Sequence, residues 1–273
     1  MGDEVPAELV ASLEATALDV RRDIVRQVFA TGSGHPGGSL SAADLLTALV
    51  FRELRIDPAR PDWPDRDRLV LSKWHAAPAL YSTLALRGFF PREGLLLPEP
   101  QLRPGVDATP GGPGEGVGLA VGMALSARLD HRPSRVAALV GDGECQSGGL
   151  WEALLVGAQH RLENLLIVVD RNGFQGDGAT ESILGLEPLV EKFRAFGYRT
   201  VEIDGHDFRE ILGALAAARS ATAGPSAIVA RTVKGKGVSF MQNTHVWHGR
   251  VPSKDEAERA LIELGVPPAE AAR

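Results

Sequence analysis

From residue 135 onward, short apolar runs alternate with helical patterns regularly enough to point to one architecture. The runs at 135–140, 164–169, 199–203 and 226–233 read as strands, and the stretches 148–160, 187–196 and 207–218 carry apolar residues at helical spacing. Such alternation implies right-handed crossovers and a parallel sheet covered on both faces. It predicts an α/β fold of three layers, a mainly parallel central sheet flanked by helices. Upstream, Leu9, Leu13, Ala17, Val20, Ile24 and Val28 are spaced for a helix over 7–30, TGSGHPGGS at 31–39 breaks it, and Ser41 is placed to cap the next helix. A strand at 68–72, a helix at 77–87, an irregular Pro- and Gly-rich stretch at 91–116 and a helix from Leu119 to Leu129 complete the order. A chain of 273 residues, 44% of them hydrophobic, suits one domain over 1–273. Within it, 1–30 reads as a helical amino-terminal extension and 253–273 as a short carboxyl-terminal helix.

Charge and cysteine usage exclude several classes. The formal charge of −6 is spread without a basic cluster, so no nucleic-acid footprint forms. The start, MGDEVPAELV, lacks a positive region before an apolar one, and the longest apolar runs, such as LLIVV at 165–169, are strand-sized. No membrane segment is expected, and the cytoplasm is the expected location. Cys145 is the only cysteine, which rules out an intrachain disulfide framework and a multi-cysteine zinc site; it reads as a buried, inert thiol.

Ligands of parallel sheets sit outside the carboxyl ends of the strands. There, strand 135–140 runs into Gly141-Asp142-Gly143 and strand 164–169 into Asp170-Arg171-Asn172-Gly173-Phe174, with 28 residues between Gly143 and Asn172. One βαβ unit therefore sets Asp142 and Asn172 on the same edge, at strand ends expected to be exposed. A carboxylate, an amide oxygen and a backbone carbonyl near Phe174 are hard ligands suited to magnesium, with diphosphate oxygens and water completing the shell. Gly143 lets a phosphate approach, and the helix from about 148 is expected to point its positive end toward it. Either segment alone reads as well as a turn after a strand; their paired placement favours the site.

Other motifs fail. Gly32-Ser33-Gly34-His35-Pro36-Gly37 fits GxGxxG but follows a helix, GKG at 235–237 lacks the hydroxyl residue of a P-loop, and Ser147 lacks the glycine of a nucleophile elbow. His245 and His248 have no further ligands for zinc. His131, His160 and His206 read as structural, whereas His35 and His75 lie in Gly/Pro-rich or strand-end segments where an imidazole can donate to a phosphate or shuttle protons.

GDG followed by Asn resembles the thiamine diphosphate motif, and the surrounding blocks resemble the transketolase family in order: GSGHPGGSLSAADLL at 32–46, DRLVLSKWHAAPALY at 67–81, VDATPGGPGEGVGLAVGMAL at 106–125 and GKGVSFMQNTHVWHG at 235–249. The resemblance implies that Asp142, Asn172 and the Phe174 carbonyl bind magnesium, with calcium or manganese as substitutes. It implies that His35, His75 and His248 line the diphosphate and reaction pocket as catalytic groups. It further implies that Gly111, Gly112, Pro113 and Gly114 approach the aminopyrimidine, and that Gly141, Gly143 and Glu144 contact the cofactor beside Asp142. The family places the cofactor between a diphosphate-binding and a pyrimidine-binding domain. Because this chain ends at Arg273, it resembles the shorter subunit of a split transketolase, active only with a second subunit carrying the pyrimidine-binding and carboxyl-terminal domains, in a two-plus-two heterotetramer. The implied reaction moves a two-carbon ketol unit from a ketose donor to an aldehyde acceptor.

The family pattern is not met everywhere. Trp74 stands where glycine is usual, Ser147 where Glu is usual, and Gly176 where an aliphatic residue is usual. The segment 91–106 is shortened and lacks the Gly-His-Pro imidazole that meets the donor's hydroxyl. These departures leave two alternatives open: acyl transfer or 2-oxo acid decarboxylation with a non-standard donor, and a non-catalytic regulatory subunit.

Overall fold

The computed structural model describes residues 5–95 and 103–272; part of the shortened segment, 96–102, lies outside them. Its centre is a five-stranded, all-parallel sheet of β1 (Arg68–Leu71), β2 (Val136–Gly141), β3 (Leu165–Arg171), β4 (Arg199–Asp204) and β5 (Ser226–Arg231), in the order β1-β2-β3-β5-β4. β2 and β3 are buried along their whole length, which suits their near-continuous Val, Leu, Ile and Ala. β4, at the edge, is mostly exposed, and Thr200 is its one buried residue.

Period-two alternation splits the strand side chains between two cores. Leu69, Leu71, Leu139, Val168 and Ile228 face the helices α1 (Ala7–Thr31), α2 (Pro36–Ala48), α3 (Ala77–Arg87), α8 (Phe208–Arg219) and α9 (Lys254–Glu263). Val70, Val140, Ile167, Val169 and Val229 face α4 (Glu115–Leu129), α5 (Gly148–Gln159) and α7 (Leu189–Ala195). Two short helices, α6 (Thr180–Ile183) and α10 (Pro268–Ala271), complete the described chain. No described helix is long and apolar enough to cross a membrane.

One local expectation is corrected. Ser41 does not cap α2; the helix begins at Pro36, with His35 as its N-cap. Proline at the first helical position tolerates the missing N–H and presets φ, so a segment that reads as a breaker starts the helix instead. Helix α5 begins at Gly148, where it was expected, and a 3-10 turn, Asp142–Gln146, lies between it and β2. That turn, not the helix, supplies residues to the cavity described next.

Candidate active site

Parallel pairing carries all the strand ends to one edge, where Gly141 of β2 lies in register with Asp170 of β3. A cavity of about 630 Å3 opens there, reaching from Asp142, Gly143, Asn172 and Phe174 past His35, His75 and His248.

At the first end, three oxygen atoms each keep acceptor capacity. Asp142 Oδ2 accepts from Arg171 Nη1 (2.9 Å) and the Gly173 N–H (2.6 Å), whereas among the described residues Oδ1 accepts only from the Gly143 N–H (2.8 Å). Asn172 Oδ1 accepts one bond, from the Phe174 N–H (3.1 Å), and the Phe174 carbonyl a long one from Lys234 Nζ (3.5 Å). A carboxylate, an amide oxygen and a carbonyl with spare lone pairs fit a hard divalent cation. Burial and the neighbouring Asp170 push the Asp142 carboxyl up, against the Gly173 and Arg171 hydrogen bonds, and a bound cation would relieve both effects. Asp142 is 1% exposed, which corrects the expectation of an exposed strand end.

Asp170, fully buried, ties four segments together behind these ligands. It accepts from Ser41 Oγ of α2 (2.6 Å), from Lys73 Nζ beyond β1, from Thr232 Oγ1 beyond β5, and from Asn172 Nδ2 (3.2 Å). Holding the Asn172 nitrogen fixes which way its amide points and leaves Oδ1 on the other side. Burial pushes the Asp170 carboxyl up, but the Lys73 charge and these hydrogen bonds outweigh it and leave it below the ordinary aspartate value.

The three histidines predicted to act together are brought together, with ring centroids 5.6 Å apart for His35–His75, 5.2 Å for His35–His248 and 5.0 Å for His75–His248. His75 Nε2 sits where a Cβ on Gly38 would be only 2.9 Å away, so the last glycine of the GHPGG segment makes room for it. Lys234 Nζ lies 3.1 Å from His248 Nδ1. An ammonium donates to Nδ1, which leaves the proton of the neutral ring on Nε2. Burial first, then Lys234, lowers His248 to about 4, and burial lowers His35 and, further, His75. Neutral imidazoles thus face the cavity at pH 7. Burial and Lys73 bring Lys234 itself down to about 8.

Glu144 bridges the strand ends. Its Oε1 accepts from Ser72 Oγ (2.6 Å) and the Gly114 N–H (2.9 Å), and its Oε2 from the Gly141 N–H (2.7 Å). It therefore holds the glycine-rich loop to both β1 and β2. Pro113, Gly111 and Gly112 line the cavity, with the N–H groups of Gly111 and Gly112 donating to Glu115 (3.1 and 3.0 Å). Gly114 lies outside the described lining, as the left-handed N-cap of α4 at φ 82° against Ser147 and Leu150. A side chain at Gly176 would reach the His248 ring at 3.8 Å. Trp74 lines the cavity beside His75. Cys145 is buried, and burial pushes its thiol well up. His206 is held between Asp44 Oδ2 (2.6 Å) and the Val233 N–H (2.8 Å), a structural role.

Lys73, Lys234 and Asp170 were not singled out from sequence. A lysine just beyond two parallel strands was the available signal, since charged groups there face the sheet's ligand edge.

The profile of the family described as "Transketolase, thiamine diphosphate binding domain" matches residues 14–272. A 6-deoxy-6-sulfo-D-fructose transketolase subunit from Clostridium sp. (strain MSTE9) is 41% identical over 269 residues, covering 94% of this chain and 98% of the relative. One of the subunits of an apulose-4-phosphate transketolase from Phocaeicola vulgatus is 35% identical over 265 residues, covering 93% and 94%. The solved transketolase from Leishmania mexicana superposes with a TM-score of 0.87 at 30% identity, covering 95% of this chain but only 42% of that enzyme. The chain thus spans less than half of the solved transketolase and almost all of the two separate subunits, and it belongs to the transketolase family, matching its thiamine diphosphate binding domain.

Proposed function

We propose that this chain is the thiamine diphosphate- and magnesium-binding subunit of a two-chain transketolase that moves a two-carbon ketol unit from a ketose donor to an aldehyde acceptor. The observation that carries this reading is the set of three spare oxygen acceptors at adjacent strand ends, in one cavity with three clustered neutral histidines. Asp142 Oδ1, Asn172 Oδ1 and the Phe174 carbonyl hold the metal, and Lys234 adds positive charge beside the diphosphate. His35, His75 and His248 orient the donor and hold or move its hydroxyl protons. The bound cofactor supplies the electron sink that lets the donor's carbon–carbon bond break.

The partner supplies the pyrimidine-binding half, and two copies of each chain assemble. Helices α4 and α5 present Leu119 (42% exposed), Leu155 (57%) and Val156 (44%) beside the exposed glycines 118, 122, 148 and 149. Large exposed apolar side chains grouped with small residues suit a partner surface.

With magnesium and thiamine diphosphate present, ketol transfer is expected on mixing the chain with its pyrimidine-binding partner. The chain alone should stay at the blank rate. A coupled assay with hydroxypyruvate and an aldehyde acceptor reads this, and full turnover by the chain alone, with the partner shown to be absent, would refute it.

A further inference from the structure

Beyond the histidines the cavity continues into a lobe walled by Trp74, Ala77, Pro78 and Tyr81, to which α1 contributes Gln27 and Thr31. The wall is firm: Trp74 stands edge-on to Tyr81 (6.2 Å between centroids, 89°), and Tyr81 edge-on to Phe90 (6.4 Å, 76°). Lys73 is the only lysine or arginine among the described lining residues, and its ammonium is committed to Asp170. Among the described lining residues, the lobe therefore offers no uncommitted cation to a phosphate, sulfonate or carboxylate; Arg103, 5.1 Å from the Tyr81 ring centroid, is not one of them.

One of its polar side chains is Gln27, 4% exposed on the buried face of α1. The side-chain N–H donates to the Pro78 carbonyl (3.2 Å). That bond fixes the amide, and the amide oxygen accepts no hydrogen bond from any described residue. Gln27 lines the cavity, so this oxygen is open to accept from a hydroxyl bound there, and it would be left unpaired once a ligand without one displaced the water.

We propose that this lobe is the subsite for the hydroxymethyl end of the transferred unit, with Gln27 as the residue that selects a ketol donor over an acyl donor. The assignment rests on the transketolase reading. A –CO–CH2OH group carries one small carbon and one hydroxyl there, which matches one amide acceptor set among aromatic walls. A methyl in its place would leave the Gln27 oxygen unpaired, and a site built to bond a hydroxyl discriminates strongly against an analogue lacking it. Trp74 and Tyr81 limit the size of what enters.

Hydroxypyruvate and pyruvate differ at this end by that hydroxyl alone, and Gln27→Met keeps the side chain's length while removing the acceptor. On the assembled two-chain holoenzyme, Gln27→Met should lower kcat/KM for hydroxypyruvate roughly 10- to 100-fold. Its kcat/KM for pyruvate should move by less than about threefold, with thiamine diphosphate affinity unchanged. If pyruvate is inert with both proteins, the hydroxypyruvate loss at unchanged cofactor affinity carries the proposal. Equal losses for both substrates, a parallel loss of cofactor affinity, or no loss at all would overturn the role of Gln27 while leaving the transketolase reading in place. A wild-type assembly that binds thiamine diphosphate but turns over no ketol donor would overturn that reading and the subsite with it.

Discussion

Asp142→Ala should abolish measurable thiamine diphosphate binding by the assembled enzyme at cofactor levels that saturate the wild type. Asp142 is the one carboxylate among the three proposed metal ligands, and on that proposal the diphosphate would be held largely through the metal. Loss of outer-shell partners alone weakens metal sites roughly 10- to 100-fold, so loss of the charged ligand should exceed about a hundredfold. The substitution also leaves the Gly143 and Gly173 N–H groups and one Arg171 donor without their acceptor, at a cost of about 1–3 kcal/mol for each one that water does not reach. Arg171 keeps Glu181 (2.7 Å) and Glu187 (3.1 Å), so the fold should survive. Asp142→Asn separates the two effects, because it keeps oxygen acceptance but not charge. Calorimetry should show the alanine variant without binding and the asparagine variant weakened, both with cooperative unfolding. Wild-type affinity in Asp142→Ala would remove the carboxylate from the site.

The second large effect is expected at Asp170. Asp170→Ala strands the Lys73 ammonium, 1% exposed, with its buried partner gone, and breaking a buried pair in this way typically costs about 3–5 kcal/mol. The carboxyl is held below the ordinary aspartate value, so the pair's contribution is present above that value and fades as the pH falls through the folded one. A companion change distinguishes structure from positioning. Lys73→Met with Asp170→Leu removes both charges and should recover much of the stability, because apolar replacement of a buried pair is often close to neutral. It does not restore an acceptor for Asn172 Nδ2, so metal and cofactor affinity should stay reduced roughly 10- to 100-fold. Denaturant midpoints and magnesium titrations measure the two quantities independently. Full recovery of affinity in the double variant would show that Asp170 does not orient Asn172.

The layered fold was legible because buried parallel strands and crossover helices leave periodic patterns that local sequence carries. Asp142, Asn172, His35 and His75 stood out because each sits at a strand end or in a glycine-rich turn, where composition departs from packing needs, whereas His248, in a loop well beyond β5, was named only through the family resemblance. The start of α2 was misplaced because proline and two glycines weigh against a helix until the tertiary contact of Gly38 with His75 is known. Lys73 and Lys234 become meaningful only when the parallel sheet sets their strand ends side by side. Gln27 left a fainter trace, a polar residue three positions after Ile24 on the apolar face of α1. Its role depends on a cavity that local sequence does not show.

The most direct measurement locates the metal. Crystals of the assembled enzyme with thiamine diphosphate and manganese in place of magnesium should give an anomalous peak bounded by Asp142 Oδ1, Asn172 Oδ1 and the Phe174 carbonyl, with ligand distances of roughly 2.0–2.3 Å. The diphosphate should lie against the peak, on the side of His75 and His248. A peak held instead by Glu144 or Asp170, or a diphosphate bound away from the β2 and β3 strand ends, would contradict the assignment of this edge of the sheet as the cofactor site.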